Sequence, residues 1–473
     1  FNVSKAGARL LSRRAFLQNV VSTSALAAAL NGGPSFIGMP WSGAQAAALP
    51  RDADVVVIGA GAAGIAAAQR IKASGRKVLV LEAARQAGGR CITDTSTFGA
   101  PFDRGARWLH GPDTNPVARL SRGAGVEIYP AASSQRVRIG RRQARASEVE
   151  EFLSALVRAN RAIDEAAQGK ADVAALSVMP KDLESWGPSA AFVLGPLMCG
   201  KDLNDISVMD YARALKRGSA ALSRQGLGTL IARLAADLPI AYETPATRIS
   251  WSGRALSVET KAGTIACRAI VVTVSNAVLS TGKIAFAPEL PKRVLDSASN
   301  LSLGSFDHVA LQIPGNPFDL ERDDMIIEKA DGARTAALAA RIGGSDLYAV
   351  ELAGSLGRDL SAQGETAMEA FAREWIGKLF GSDALKSIGK VHATRWNHDP
   401  LIGGAFSMAK VGAQGARKIL MEPLGALHFA GVGHVARHNV LHDAPHQAVS
   451  VYGNDHLFEF NVVSNVCMSA DDA

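Results

Sequence analysis

Apolar and polar positions in residues 54–82 follow the pattern of two short strands that flank a helix. An apolar, β-branched run at residues 55–58 precedes an Ala-rich amphipathic stretch, and a second apolar run, residues 78–81, ends at Glu82. Strand-length apolar runs joined by a helical stretch are typical of a parallel βαβ unit. The pattern therefore predicts a strand, a helix and a second strand parallel to the first.

The turn between the first strand and the helix has the glycine spacing of a dinucleotide-binding site. Gly59 permits the tight turn, Gly61 leaves room for a pyrophosphate, and Gly64 lets helix and strand pack closely. The N–H groups and positive dipole end of the helix then face the phosphates. Glu82, 18 residues past Gly64, is predicted to bind ribose hydroxyls and to repel a 2′-phosphate, which disfavours NADP. A glycine turn in an ordinary parallel sheet is the alternative interpretation.

The rest of the chain continues with mixed helical and strand patterns and contains no internal repeat. Residues 146–222 are predicted to be mostly helical, and residues 240–280 and 305–352 alternate like strands. Residues 389–431 return to short strands and turns. Individual helices are predicted at Val149 to Ala167, Val208 to Ala220, from Gly226 to before Leu238, and Glu365 to Phe380.

Length and composition indicate a globular protein with two domains. The chain has 473 residues, of which 48% are hydrophobic and 20% are charged. Its net charge is +7, but residues 1–46 contain four cations and no acid, so the remainder carries only +3 and gives no indication of nucleic-acid binding. The four cysteines are far apart and lack metal-ligand spacing, so we expect small buried side chains and no metal site: Cys91, Cys199, Cys267 and Cys467.

The first 46 residues are typical of an export signal. Ser12-Arg-Arg-Ala-Phe-Leu17 is a twin-arginine signature, and the apolar stretch at residues 20–30 is too short for a stable membrane span. Ala44-Gln-Ala46 fits a cleavage site. We therefore expect a periplasmic or secreted protein. A disordered basic tail is the alternative.

Four groups of motifs, in this order along residues 52–431, resemble the flavin-containing amine oxidases, the group of monoamine, polyamine and L-amino-acid oxidases. The order and spacing of the motifs are more specific than any one of them. They are the dinucleotide turn with Glu82; Gly88-Gly-Arg90 with Phe102-Asp-Arg-Gly-Ala-Arg-Trp108; Gly226-Leu-Gly228 with Thr244-Pro-Ala-Thr-Arg-Ile249 and Val271-Val-Thr-Val274; and Thr394-Arg-Trp-Asn-His-Asp-Pro400 with Gly403-Gly-Ala-Phe-Ser407 and His428-Phe-Ala-Gly431.

The resemblance implies an α/β, two-domain fold. A Rossmann-like FAD-binding domain would be assembled from discontinuous segments, with a substrate-binding domain inserted between them. The FAD-binding segments would be residues 52–135, 225–285 and 390–431, and the substrate domain would comprise residues 136–224 and 286–389.

The resemblance also implies individual cofactor contacts. Arg90 would contact the pyrophosphate, the Ala246 backbone would bind adenine, and residues 105–108 would line the flavin ring. Without the family, Arg90 could equally be a solvated surface residue and Trp108 a core aromatic. The predicted cofactor-binding residues are Gly59, Gly61, Ala63, Gly64, Glu82, Ala83, Gly89, Arg90, Gly105, Ala106, Arg107, Trp108, Ala246 and Gly431.

The chemistry implied is oxidation of an amine C–N bond by hydride transfer to flavin N5. The imine is then hydrolysed to an aldehyde or ketone plus ammonia or an amine, and O2 or another electron acceptor reoxidises the flavin, with H2O2 formed from O2. A small primary or secondary amine is the expected substrate. An L-amino acid is the alternative, and would require an arginine, such as Arg341, to pair its carboxylate. Oligomeric state is not predicted.

Two departures from the family pattern concern the catalytic residues. Ala405 occupies the position of the cysteine that attaches flavin in monoamine oxidases, so FAD is expected to be non-covalent. His308 falls where many members have a lysine that holds a water against N5, which would give pH dependence near about 6–7. The alternative for His308 is an ordinary strand histidine. With these changes, the predicted catalytic residues are His308, Phe406 as an aromatic wall, and Trp396. A plain core phenylalanine is the alternative for Phe406, and Trp396 could equally be a core aromatic.

The third departure is the tail, residues 432–473. After Gly431 the family continues with a glutamate and a helix start that points at the flavin, and this chain continues with Val432-Gly-His434. A shifted reading frame or authentic divergence would explain the change, and the first would leave a non-catalytic, defective flavin-fold protein. Histidines every four residues in the tail lack the partners of a metal site: His434, His438, His442 and His446.

Overall fold

The structure, a computed structural model, describes residues 49–113, 115–131, 135–214, 219–253 and 255–431. The predicted export signal and the atypical tail with its histidines lie outside these residues. Within the described part, no helix is long and apolar enough to cross a membrane. The helices there are α1 Ala62–Ala73, α2 Pro116–Gly123, α3 Ala146–Ala166, α4 Gly187–Phe192, α5 Val208–Ala214, α6 Leu227–Ala235, α7 Asn276–Ser280, α8 Lys292–Asn300, α9 Gly354–Gln363, α10 Glu365–Phe380, α11 Ser382–Leu385 and α12 Ala416–Met421.

The strands of the described residues form five sheets, and the five-stranded and seven-stranded sheets carry the site. The strands are β1 Val55–Ile58, β2 Val78–Leu81, β3 Thr93–Asp94, β4 Phe102–Asp103, β5 Leu109–His110, β6 Ile128–Pro130, β7 Gln135–Ile139, β8 Arg142–Gln143, β9 Ala220–Ser223, β10 Ile240–Ala241, β11 Ala246–Ser250, β12 Leu256–Thr260, β13 Gly263–Cys267, β14 Ala269–Val272, β15 Ala285–Ala287, β16 Phe306–Gln312, β17 Met325–Glu328, β18 Ala337–Ala339, β19 Leu347–Ala353, β20 Val391–Ala393 and β21 Leu427–Phe429.

A five-stranded parallel sheet in the order β10-β2-β1-β14-β21 contains the predicted βαβ unit. Every residue of β1, β2 and β14 is buried, because the sheet has an apolar core on each face. Val56 and Ile58 face one core, and Val55 and Val57 face the other. Burial on both faces explains why these strands are continuous apolar runs. The strands come from three separate parts of the chain, which confirms the predicted α/β fold with a Rossmann-like domain.

Asp103 connects two of the sequence motifs. Its half-buried carboxylate accepts hydrogen bonds from the N–H groups of Leu227 and Gly228 at 2.9 and 3.2 Å, and from the Thr93 hydroxyl at 2.5 Å. Burial raises the pKa of this carboxyl above its ordinary value, and the three donors oppose that shift. A Cβ at Gly228 would lie 2.2 Å from the Thr93 nitrogen. The glycine is therefore required by this close approach, and the aspartate secures the beginning of α6.

A seven-stranded sheet, in the order β20-β16-β19-β18-β17-β7-β8, positions the second half of the site. Its strands β16 and β19 pair antiparallel over seven residues, from Phe306 opposite Ala353 to Gln312 opposite Leu347. Helix α10 packs one apolar face on this sheet through Phe371, Trp375 and Leu379. The sheet also includes β20, although β20 belongs to residues 390–431, which the sequence assigned to the FAD-binding domain.

The predicted helix from Val208 to Ala220 is wrong at its end. Helix α5 ends at Ala214, and Ala220 begins strand β9. This strand pairs antiparallel with both β5 and β6. The apolar periodicity of α5 could not indicate this change, because β9 is held by partners about 90 to 110 residues earlier in the chain, and such long-range pairing overrides local preference.

His428, on edge strand β21, makes the stability of the fold depend on pH. Its side chain is 7% exposed, and burial lowers its pKa from 6.5 to about 4. The unfolded chain therefore binds the proton more readily than the folded chain does. The contribution of the neutral His428 to stability is fully present above about pH 6.5 and is lost as pH falls toward 4. Between pH 7 and 5 we expect the free energy of unfolding to decrease by about 2 kcal/mol from this residue. Urea unfolding at both pH values measures it, and His428→Gln should abolish this part of the decrease. An equal decrease in both proteins would contradict the assignment.

Candidate active site

A cleft of about 270 Å³ lies at the carboxyl ends of β1, β2 and β14. This is the edge of a parallel α/β sheet at which ligands bind. The cleft brings together ten of the predicted cofactor-binding residues, which come from distant parts of the chain: Gly59, Gly61, Ala63, Glu82, Ala83, Gly89, Arg90, Ala106, Ala246 and Gly431.

Gly64 supports this cleft from behind and does not line it. A Cβ at Gly64 would lie 1.9 Å from the Gly59 carbonyl oxygen and 3.0 Å from the Thr273 hydroxyl. Gly59 itself has φ +106°, which disfavours any side chain. The Thr273 hydroxyl donates to the carbonyl oxygens of Ile58 and Gly59 at 2.8 and 3.2 Å, so β14 helps to fix the turn.

Helix α1 presents its N-terminus to the cleft. Its N-cap is Gly61, and no side chain caps the N–H groups of its first turn. The Glu82 carboxylate accepts hydrogen bonds from the N–H groups of Ala60 and Ala84 at 2.6 and 2.8 Å, which places it beside the same turn. Burial raises the pKa of Glu82, and these backbone donors oppose the shift. Uncapped N–H groups at a helix N-terminus form an anion-binding site.

A second, smaller cavity, the aromatic chamber, adjoins the cleft and shares Arg90 and Ala106 with it. The Arg90 guanidinium donates to the Ala405 carbonyl, so its position is fixed at the junction. The chamber contains all three predicted catalytic residues and the predicted flavin-ring segment. It is lined by Arg90, Gly105, Ala106, Arg107, Trp108, Phe306, His308, Glu351, Trp396, Ala405 and Phe406.

An ionic cluster forms one wall of the chamber. Glu351 binds Arg107 through an oxygen 3.0 Å from the guanidinium Nη2, and its other oxygen contacts His308 Nδ1. All three side chains are at least nine-tenths buried. Burial by itself raises the pKa of the Glu351 carboxyl, but the charges of His308 and Arg107 outweigh burial, and the net shift is downward. The two basic partners thus favour the carboxylate form of Glu351.

Trp396 and the backbone of His308 are held by one buried acid, Asp307. Its Oδ1 accepts from the Trp396 N–H at 2.8 Å and from the Thr394 hydroxyl at 3.0 Å. That hydroxyl accepts in turn from the His308 N–H at 2.9 Å, and the Trp396 indole donates to the Arg104 carbonyl at 2.8 Å. Trp396 thus lines the chamber in a fixed orientation.

Among the site residues that the sequence interpretation did not assign, three bear on the chemistry or on the turn: Thr273, Phe306 and Glu351. Phe306 is in edge-to-face contact with both His308 and Phe406, with ring centroids 5.4 Å apart in each pair. The signal for Glu351 was a single acid inside the otherwise uncharged run at residues 347–353. An acid in a buried strand requires a partner, but the sequence does not say which one.

Comparison with known proteins identifies the family. Residues 206–444 match the model for flavin containing amine oxidoreductases, and residues 57–122 match that for an NAD(P)-binding Rossmann-like domain. The chain belongs to the flavin-containing amine oxidoreductases. The amine oxidoreductase match continues past Gly431, the last residue at which the motifs of the family were recognised. The predicted family is confirmed.

The chain is similar to curated proteins of different lengths. The human lysine-specific histone demethylase 2 is 27% identical over 430 residues, which cover 82% of this chain and 52% of the demethylase. The probable polyamine oxidase 4 of Arabidopsis thaliana is 28% identical over 408 residues, which cover 80% of this chain and 81% of the oxidase. The chain thus spans about half the length of the demethylase.

The fold of the amine oxidoreductase family also appears in solved structures. The cyclohexylamine oxidase from Brevibacterium oxydans IH-35A superposes with a TM-score of 0.69, at 20% identity, over 80% of this chain and 93% of that protein. A putrescine oxidase bound to putrescine superposes with a TM-score of 0.67, at 16% identity, over 80% and 93% of the two chains. At these identities the likeness establishes the fold.

The residues of the cleft fit the flavin dinucleotide that the family uses. The uncapped N–H groups of α1 suit a pyrophosphate, and Gly61 leaves the space that it needs, because a Cβ there would meet nothing closer than 4.0 Å. The Glu82 carboxylate accepts backbone hydrogen bonds on both oxygens, lines the cleft and could accept a further hydrogen bond from a ribose hydroxyl. The flavin ring would then lie toward the aromatic chamber, beyond Arg90 and Ala106.

Proposed function

We propose that this protein is an FAD-dependent amine oxidase that oxidises the C–N bond of a small primary or secondary amine. The observation that carries the proposal is the aromatic chamber, which opens from the dinucleotide cleft across Arg90 and Ala106. When bound, the flavin would accept a hydride from the α-carbon of the amine and pass the electrons to O2 or another acceptor. The imine would then be hydrolysed to a carbonyl compound.

The residues of the chamber would orient the amine and keep it uncharged. Phe306, Phe406 and Trp396 provide apolar walls that exclude water. Burial against such walls disfavours an ammonium ion, so the neutral amine with its free lone pair is favoured. His308, on the same wall, is held by Glu351 and by the Gly105 carbonyl through its two ring nitrogens.

The charges of the chamber favour a monoamine. Its one carboxylate, Glu351, is neutralised by Arg107 and His308, and Arg90 adds a further cation. The distal ammonium of a diamine or polyamine would therefore meet no free anion among the residues that line the chamber. An apolar body, alicyclic or aromatic, complements the phenylalanine and tryptophan walls.

The proposal also covers how FAD is attached and where in the cell the protein is located. We propose non-covalent FAD, because Ala405 lies where a flavin-attaching cysteine would be needed. Export by the twin-arginine route is supported by the sequence of residues 12–17 alone. This route carries folded proteins, which suits a protein that binds its cofactor before export.

An L-amino-acid oxidase is the second candidate, and one observation favours it. Arg107 lines the chamber, and its Nε is buried without a hydrogen-bond partner. A substrate carboxylate could bind there, but the Arg107 charge is already paired with Glu351. Arg341, the residue considered from sequence, does not line the chamber and donates to the Leu320 carbonyl at 3.2 Å.

An anaerobic titration of the FAD-reconstituted protein tests these assignments. We expect cyclohexylamine or benzylamine to bleach the flavin band at roughly 450 nm, and putrescine, spermidine and L-phenylalanine to bleach it much more slowly. Retention of FAD after denaturation and precipitation of the protein would contradict non-covalent binding. Bleaching by L-phenylalanine alone would select the amino-acid oxidase. No bleaching by any of them, with FAD bound, would support a non-catalytic protein.

A pair of variants links turnover to the chamber. Phe406→Leu should lower kcat/KM for the best amine by about tenfold through loss of an aromatic wall, with FAD still bound. Phe318→Leu is the matched control, since Phe318 packs against Tyr348 and Phe380 in a separate core. Equal effects of the two substitutions would contradict a role for the chamber in binding substrate.

A further inference from the structure

His308 faces a hydrogen-bond acceptor at each of its two ring nitrogens. Its Nδ1 contacts Glu351 Oε2, and its Nε2 lies 3.3 Å from the Gly105 carbonyl oxygen. The first contact follows from the sheet, because His308 and Glu351 are directly opposite each other in the register of β16 and β19. The second follows from the loop after β4, which carries residues 105–108 into the chamber.

These two contacts bear on the protonation state of the imidazole. A backbone carbonyl oxygen only accepts, and an ionised carboxylate only accepts. A neutral imidazole has one N–H and one lone pair, so it would turn a lone pair toward one of the two oxygens. Only the imidazolium, with N–H groups at both nitrogens, donates to both partners. Glu351 is the residue that makes this form favourable, because it supplies the opposite charge in direct contact.

The other charged groups near His308 leave the cluster with a net positive charge. From the loop after β4, Arg107 binds the second oxygen of Glu351, so with an imidazolium at His308 two cations would share one anion. Arg90 faces the same chamber. On the strand of His308 itself, Asp307 is the remaining acid, but its carboxylate binds Thr394 and the Trp396 N–H and does not line the chamber. The rings of Phe102 and Phe306 are in edge-to-face contact with the imidazole.

We propose that Glu351 is a positioning residue that keeps His308 doubly protonated and directs its Nε2–H at the Gly105 carbonyl. One net positive charge then stands permanently in the wall of the chamber, beside the place where the flavin ring would lie. Such a charge would stabilise the negative charge that the flavin gains on reduction. The pairing would let a histidine act as a permanent cation at a position where the family resemblance expects a lysine. The benefit to catalysis rests on the proposed amine oxidation, but the protonation state does not.

The protonation state can be measured without cofactor or substrate. In the apoprotein labelled with 15N-histidine, long-range 1H–15N spectra distinguish imidazolium from either neutral tautomer, and His308→Gln identifies the signal. We expect an imidazolium from about pH 6 to 8.5. In Glu351→Gln, which keeps the size of the side chain and removes its charge, we expect His308 to lose a proton within this range.

The matched control is Glu328→Gln. Glu328 is also a buried carboxylate of the seven-stranded sheet, with Lys378, Thr335 and Trp375 as partners, and it lies outside the chamber. This change should leave the His308 signal as in the unsubstituted protein. A His308 that titrates equally in the unsubstituted protein and in Glu351→Gln would overturn the proposal, as would an imidazolium that persists in Glu351→Gln.

The holoenzyme gives a second readout. With Glu351→Gln, the reduction potential of bound FAD should decrease and kcat should fall on the order of tenfold as pH rises from about 6 to 8.5, with a smaller change in KM. Glu351→Gln combined with His308→Lys should restore a pH-independent kcat. An unchanged potential and a flat pH profile in Glu351→Gln would overturn the link to the flavin. If no amine is oxidised at all, the proposed function fails, while the spectra of the apoprotein still decide the state of His308.

Discussion

Alanine at Gly64 is expected to destabilise the dinucleotide-binding domain by on the order of 3 kcal/mol, because the new Cβ would lie 1.9 Å from the Gly59 carbonyl oxygen. The backbone of α1 or of the turn must then move. Both the apoprotein and the FAD complex should be affected. Thermal or urea unfolding of the apoprotein measures the loss, and FAD titration measures the weaker binding.

Alanine at Gly61 separates cofactor binding from stability. Gly61 has φ −72° and ψ 177°, which alanine adopts without strain, and the nearest atom to a new Cβ is the Gly89 Cα at 4.0 Å. The apoprotein should therefore unfold as before. The methyl group projects where the backbone must meet the pyrophosphate, so we expect FAD affinity to decrease by about 100-fold or more.

Gly123→Ala is the control for both substitutions, since a Cβ at this helical glycine meets nothing within 4 Å. It should leave FAD affinity unchanged. Unchanged FAD affinity in Gly61→Ala would contradict the assignment of the cleft. A normal unfolding curve for Gly64→Ala would show that the turn tolerates the shift.

Replacement of Arg417 by methionine is expected to cost about 3–5 kcal/mol, because it leaves the buried Asp210 carboxylate without its counterion. Arg417 Nε and Nη2 lie 2.6 and 2.7 Å from the two Asp210 oxygens, and Nη2 also donates to the Ser407 carbonyl at 2.7 Å. The pair connects α5 to α12. Urea unfolding near pH 7 measures the cost.

The pH dependence of this loss follows from the sign of the Asp210 shift. Burial raises the pKa of Asp210, but the charge of Arg417 and its hydrogen bonds outweigh burial and lower it. This carboxylate therefore stabilises the unsubstituted protein above its ordinary pKa, and the contribution is lost as pH falls. Without Arg417 the burial effect dominates and the pKa is raised. The difference in stability between the two proteins should consequently narrow in acid.

Arg293→Met is the matched control, since Arg293 pairs with Glu422 and both side chains are about half exposed. It should cost no more than about 1 kcal/mol. The double change Asp210→Leu with Arg417→Met should recover part of the loss, because no charge is left buried. A cost below about 1 kcal/mol for Arg417→Met alone would contradict the assigned role of the pair.

The glycine turn of the dinucleotide cleft and its acid were predictable because they are local. The glycines at 59, 61 and 64 and the acid at 82 lie within one βαβ unit, where spacing along the chain fixes spacing in space. Helix α10 has the bounds predicted from its period, since an amphipathic face of sixteen residues is a strong signal. The end of α5 and strand β9 were mispredicted, because β9 depends on partners far away in the sequence.

The sequence alone determined the family, the α/β class, the glycine turn and the placement of His308 in a strand. Only the tertiary structure decided that Glu351 lies opposite His308, that Arg107 shares its carboxylate, and that Asp210 pairs with Arg417. The physical reason is that a buried charge must find a partner, but any of many residues can supply it. Strand register and helix packing, which involve residues more than 40 positions apart, select the one that does.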